Sequence, residues 1–298
     1  MLSEENKENF IQSGKIASKI RNESKRLIMI DELLFDIAET IEQMIKDEGA
    51  KCAFPVNISI NEHAAHFTPE TNCARTIEEN DVIKIDIGVL VNNSIADTAY
   101  TVDLSGKYGE LVSASEHALN EAIKLMTPGR KIAEISAKIE ETIKSYGFLP
   151  ISNLTGHMIK DGFLHAGMEI PNVKTNIPYV LSEGDVFAIE PFASTGSGFV
   201  QDADQVEIFS VIDLKPLRMP YARKIQEHII KEYLLLPFAQ RWLDKYYSRI
   251  LVNSALKEMI IQKMLISYPV LKDSGDGIVS QAEHTVIVDE KPIVTTIE

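Results

Sequence analysis

Apolar residues recur at near-helical spacing twice in the first 48 positions: Phe10, Ile11, Ile16 and Ile20, then Leu33, Leu34, Ile37, Ile41 and Ile45, with Gly49 as a stop. Two helices are predicted over residues 3 to 48. The period then shortens to two. CAFPVNISI, DVIKIDIGVLV and IADTAYTVDL read as strands, and Asn92, Asn93 and Ser94 supply turn chemistry between the last two, which predicts a β-hairpin. Helical spacing returns over 110 to 126 and 131 to 146, interrupted by Thr127, Pro128 and Gly129 and closed by Gly147. Strand-like runs follow around His157, at DVFAIEPF and at VEIFSVI. Helices followed by strands thus occur twice, which suggests two similar halves, although no sequence repeat is visible. Residues from about 215 to 270 are rich in Leu, Ile, Lys, Arg and aromatics at helical spacing and read as a helical insertion that Tyr268 and Pro269 end. SQAEHTVIVDE and KPIVTTI form a predicted closing hairpin. The class expected is α+β.

Composition narrows the setting. At 298 residues and 45% hydrophobic the chain can bury a full core. No run approaches the roughly 20 apolar residues of a membrane helix, and the acidic, polar opening is unlike a secretory leader, so a cytoplasmic protein without membrane contact is expected. Cys52 and Cys73 are the only cysteines, which indicates neither a disulfide framework nor a thiolate zinc site. A formal charge of −14 argues against specific nucleic-acid binding, which needs clustered Lys and Arg.

Against that background a few polar residues stand in apolar company. In DVIKIDIGVLV, alternation places Ile83, Ile85 and Ile87 on one face and Lys84, Asp86 and Gly88 on the other. A two-residue turn at Asn92 and Asn93 sets Asp97 opposite Gly88, one diagonal step from Asp86. Two carboxylates this close must share a proton or be neutralised by cations. Glu190 ends the run VFAI before Pro191, where an unpartnered carboxylate is costly, and Glu283 adjoins the strand-forming HTVIV. With His157 these carboxylates supply hard oxygen and borderline nitrogen donors, enough to hold two divalent ions. His66 and His165 sit at predicted loop edges, where an imidazole can polarise a carbonyl or relay a proton.

The segments AFPVNISINEHAAHFTP, VIKIDIGVLVNNSIADTAYTV, NLTGHMIKDGFLHAG, EGDVFAIEPFASTGSG, RWLD at 241 to 244 and QAEHTVIV, in that order, resemble the type 2 methionine aminopeptidases, in the short form without an N-terminal extension. The match spans nearly the whole chain. It implies one catalytic domain over 1–298 with the pita-bread fold, a pseudo-twofold curved sheet with helices outside, and a helical insertion at about 215–270 that marks type 2. It further implies two divalent ions (Co, Mn, Fe or Zn), with Asp97 and Glu283 shared between them, Asp86 completing one shell and His157 with Glu190 the other. Glu190 would shuttle the proton of the attacking water. His165 would lie near the scissile carbonyl and His66 near the departing amide nitrogen, while Phe54 and Leu164 would line the methionine pocket. RWLD would pack rather than catalyse. The implied partners are peptides and nascent proteins beginning with Met, with the ribosome as a candidate contact, and the implied state is a monomer. The chain departs from some relatives near Leu214, where they carry a polar, His-bearing loop.

Two other readings use the same fold. A proline dipeptidase shares the ligand types, but such relatives carry an additional N-terminal domain and only 85 residues precede Asp86 here. A non-enzymatic binding protein would have lost its ligands, whereas all five are present. The resemblance also implies that small second residues are favoured for steric reasons. Because bulky Leu2 follows Met1, this chain should keep its own methionine, and intact-mass measurement of purified protein checks it: a mass lower by one methionine would contradict the expectation.

Overall fold

The computed structural model describes residues 2–297; Met1, on which the retention expectation falls, lies outside the described residues. The two expected N-terminal helices are Glu4–Ser24 and Leu34–Asp47. The first is capped by Ser3, whose hydroxyl accepts from the Asn6 amide at 3.2 Å, with Glu4 and Glu5 complementing the positive end of the helix dipole. Both helices turn apolar stripes inward onto the hairpin formed by Val82–Val91 and Ser94–Asp103. Asn92 and Asn93 take φ values of 47° and 69°, the paired left-handed geometry that a tight hairpin turn needs and that Asn tolerates. The turn fixes the register, and Gly88 stands opposite Asp97, as the spacing predicts.

The second half repeats the plan. Helices Gly109–Ile123 and Ile132–Ser145 pack on a sheet in which Thr155–Ile159 pairs with Val186–Ile189, and Val186–Ile189 with His284–Ile287, all antiparallel. Each half therefore has its own apolar core under its own helix pair. The halves meet where Asp97 and Glu283 come together. Ala99 and Glu283 exchange backbone hydrogen bonds at 3.1 and 3.4 Å, and the Thr285 hydroxyl both accepts from the Asp97 amide at 2.7 Å and donates to its carbonyl at 2.9 Å. The final strand pair, His284–Ile287 with Ile293–Val294, forms the expected closing hairpin.

The segment after residue 211 differs in part from expectation. It holds helices Pro220–Tyr233, Gln240–Asp244 and Arg249–Ile261 around a third core, but Leu265–Asp273 is a strand, paired along Val200–Val211, and not the tail of a helix. Tyr268 and Pro269 lie within that strand, where long-range pairing overrides the local Leu and Ile spacing. The strand Val200–Val211 also begins six residues before VEIFSVI.

One buried ion pair ties this segment to the first half. Arg241, 1% exposed, pairs with Glu42, which also accepts from Trp242 Nε1 at 2.7 Å and from the Val56 amide at 3.2 Å. The remaining guanidinium nitrogens reach Thr68 Oγ1 at 2.8 Å and Glu39 Oε1 at 3.3 Å. RWLD is packing, as expected. Replacing Arg241 by Met would strand the buried Glu42 carboxylate, a change expected to cost about 3–5 kcal/mol of stability. Urea denaturation measures it; a midpoint unchanged from wild type would count against this account.

Candidate metal centre

Each donor is delivered by a different piece of backbone. Asp86 and Asp97 come from the two strands of the 82–103 hairpin, His157 from Thr155–Ile159, Glu190 from the break between Val186–Ile189 and Phe192–Ser194, and Glu283 from the residue just before His284–Ile287. The structure brings all five to one cleft of ≈ 510 Å³, together with Phe54, His66, Leu164 and His165. Ligand atoms of Asp97, His157 and Glu283 all lie within 4.8 Å of one another. His157 Nε2 is 3.5 Å from Asp97 Oδ2 and 3.9 Å from Glu190 Oε1.

The electrostatics of this cluster are unbalanced. Among the described residues no Lys or Arg pairs with any of its four carboxylates. Burial, then mutual repulsion, holds the Asp86, Glu190 and Glu283 carboxyls well above the usual carboxylate range, and burial pushes Asp97 up to about 7. Burial lowers His157 to about 4, which leaves a neutral imidazole, the form that can ligate. Asp86 Oδ1 and Asp97 Oδ1 are buried and accept no hydrogen bond. Orphaned acceptors, excess negative charge and a neutral imidazole in one cleft fit divalent cations, and the oxygen-rich donor set suits Mn, Fe, Co or Zn.

The neighbouring histidines differ from each other. His66 sits at φ 64°, a left-handed conformation uncommon for His, and its Nδ1 lies 3.2 Å from the Pro269 carbonyl oxygen. A carbonyl only accepts, and burial lowers this imidazole to about 4, so Nδ1 carries the hydrogen and Nε2 keeps its lone pair. Tyr268 packs edge-on against the ring at 5.5 Å. His165 is exposed at the cleft mouth, its ring 4.5 Å from that of His157. Phe54 owes its place to Gly88, where a Cβ would fall 2.3 Å from the ring.

Several lining residues escaped the sequence reading: Asn57, Ile208, Pro237 and Tyr268. Asn57 carried a signal, since it is a polar residue of an otherwise largely apolar strand, and the register sets it beside Asp86. Tyr268 carried none, because it reads only as the point where helical spacing ends. Leu214, where relatives differ, is exposed and does not line the cleft.

A curved antiparallel sheet built from two like halves, with a buried carboxylate and imidazole cluster at their seam, defines the pita-bread class of proteins. A sequence model described as metallopeptidase family M24 matches residues 8–290, and the chain belongs to that family. The methionine aminopeptidase of Methanocaldococcus jannaschii is 45% identical over 289 residues, 97% of each chain. Among solved structures, a thermophilic Arx1 superposes with a TM-score of 0.88 at 19% identity, covering 100% of this chain and 92% of its own. The methionine aminopeptidase of Thermotoga maritima does so with a TM-score of 0.72 at 21% identity, covering 99% and 98%. These two likenesses establish the fold.

Repulsion within the cluster yields a test in metal-free protein. Asp86→Asn removes one buried charge, and relief of ~1 kcal/mol should raise the melting temperature in chelator by roughly 2–4 °C. Calorimetry of the two proteins checks it; an equal or lower melting temperature for the variant would contradict the imbalance.

Proposed function

We propose that this protein is a type 2 methionine aminopeptidase whose cleft residues carry the roles set out below. The chain is a metal-dependent hydrolase that removes N-terminal methionine, as its near-full-length identity to curated methionine aminopeptidases and its M24 membership support. The subtype reading rests on the helices between Val211 and Leu265, the insertion that marks type 2 in the resemblance. Under this reading residues 1–298 form one catalytic domain and about 215–270 its insertion, acting as a monomer in the cytoplasm on nascent chains. No helix is long and apolar enough to cross a membrane.

The observation that carries the site assignment is the convergence of four carboxylates and one neutral imidazole with no basic partner among the described residues. In the proposed arrangement Asp86, Asp97, His157, Glu190 and Glu283 would together hold two divalent ions. Such ions supply Lewis acidity and lower the pKa of water to near neutrality. The chain's own groups do the rest. Glu190 takes the proton of the attacking water on its carboxylate and delivers it to the departing amine nitrogen. His165, at the cleft mouth, donates to the carbonyl oxygen as it gains negative charge. His66, whose hydrogen is committed to Pro269, accepts at Nε2 from the scissile amide N–H. Phe54 and Leu164 give the thioether side chain an apolar slot.

Specificity follows from shape. Under this reading the substrate's free amino terminus sits beside the metal centre, so that one residue is removed, and discrimination at the second residue is by size. Protein reloaded with Co²⁺ or Mn²⁺ is expected to release methionine from Met-Ala-Ser, to leave Met-Leu-Ser essentially intact, and to ignore Gly-Pro; metal-stripped protein should do none of these. Glu190→Gln should lower turnover by at least about 100-fold, the usual contribution of general acid–base catalysis. Cleavage of Gly-Pro alone would move the assignment to a proline dipeptidase, and no turnover with any metal would favour a binding protein on the same fold.

A further inference from the structure

The catalytic roles proposed above leave one central side chain without a task. Gln281 ends the short strand Val279–Gln281, and its side chain is fully buried within the metal centre. Its Nε2 lies 3.4 Å from Asp86 Oδ2, 3.5 Å from Glu190 Oε2 and 3.5 Å from Glu283 Oε2. One amide nitrogen is thus nearly equidistant from three of the four carboxylates, which arrive from three separate stretches of chain. Its backbone is clamped to match. The Gln281 amide donates to Thr101 Oγ1 at 2.9 Å, Thr101 Oγ1 donates to the Gln281 carbonyl at 2.7 Å, and the register pairs Gln281 with Phe192, two residues past Glu190.

We infer that Gln281 is a positioning residue that gathers Asp86, Glu190 and Glu283 into a divalent-cation geometry before any cation arrives, and does so without neutralising them. That the acids keep their charge follows from the chemistry of the donor. Two N–H groups shared among three carboxylates at the long end of hydrogen-bonding distance orient those groups, yet they carry no formal charge. A Lys in the same place would donate as well, but its ammonium would supply the countercharge that two divalent ions are to supply and would compete with them. A neutral donor therefore fixes the ligands and leaves their attraction for cations whole. Outer hydrogen bonds of this kind commonly govern metal affinity by 10–100-fold.

The inference rests on the proposed metal roles, and its test separates the two. The measurement is calorimetric titration of full-length, metal-stripped protein with Mn²⁺ alone, which needs no turnover, alongside kinetics on Met-Ala-Ser. Gln281→Met keeps the length and removes the donors: Mn²⁺ affinity is expected to fall about tenfold or more, and kcat to fall with KM unchanged, since substrate contacts remain. Gln281→Lys keeps a donor and adds charge: it should fold at least as well as wild type and lose binding of one ion. Wild-type Mn²⁺ affinity in Gln281→Met, or two ions bound normally by Gln281→Lys, would overturn the inference. So would lower melting temperatures with Mn²⁺ affinity unchanged, the mark of a purely structural residue. A wild-type protein that binds Mn²⁺ as expected yet fails to cleave Met-Ala-Ser would sink the functional reading, while the calorimetric comparison still decides on Gln281.

Discussion

Four carboxylates held together in a buried cleft with no basic residue to offset them are the constraint on which the rest of this molecule depends. Left alone, such a cluster would push its strands apart. The fold resists by anchoring each donor to a separate, well-packed element and by locking the seam with backbone and threonine hydrogen bonds around Ala99, Glu283, Asp97 and Thr285. Stability is spent at the centre and recovered in the apolar cores around it. Methionine removal is possible because that spending keeps the cleft electrostatically hungry for cations.

Duplication explains how the arrangement arises from simple parts. Each half is a helix pair packed on an antiparallel sheet over its own core, and each contributes carboxylates that meet at the seam. The added segment after Val211 is tied to the first half by a buried Arg241–Glu42 pair with Trp242. This places its neighbours Pro237 and Tyr268 in the lining of the cleft.

Much of this was legible in the chain because local chemistry settled it. Asn92 and Asn93 demand a two-residue turn, that turn fixes the register, and the register alone sets Asp97 opposite Gly88 and near Asp86. Glu190 and Glu283 announced themselves as charges in apolar runs. What stayed hidden depends on distant pairing. Leu265–Asp273 begins in what reads as helical spacing but is a strand because Val200–Val211 offers it a partner, and with that strand went Tyr268 and the carbonyl of Pro269 that sets the hydrogen on His66. Gln281 was equally silent, since a neutral side chain between small residues gives no sign that three acids will surround it.

Asp86 and Glu283 are 197 positions apart in sequence, from 86 to 283, and they meet only across the seam of the two halves. Closing so long a loop is entropically costly, and the cleft is complete only when both halves are docked. Divalent ions bound there would favour the docked halves over parted ones, adding to the hydrogen bonds that already join the seam.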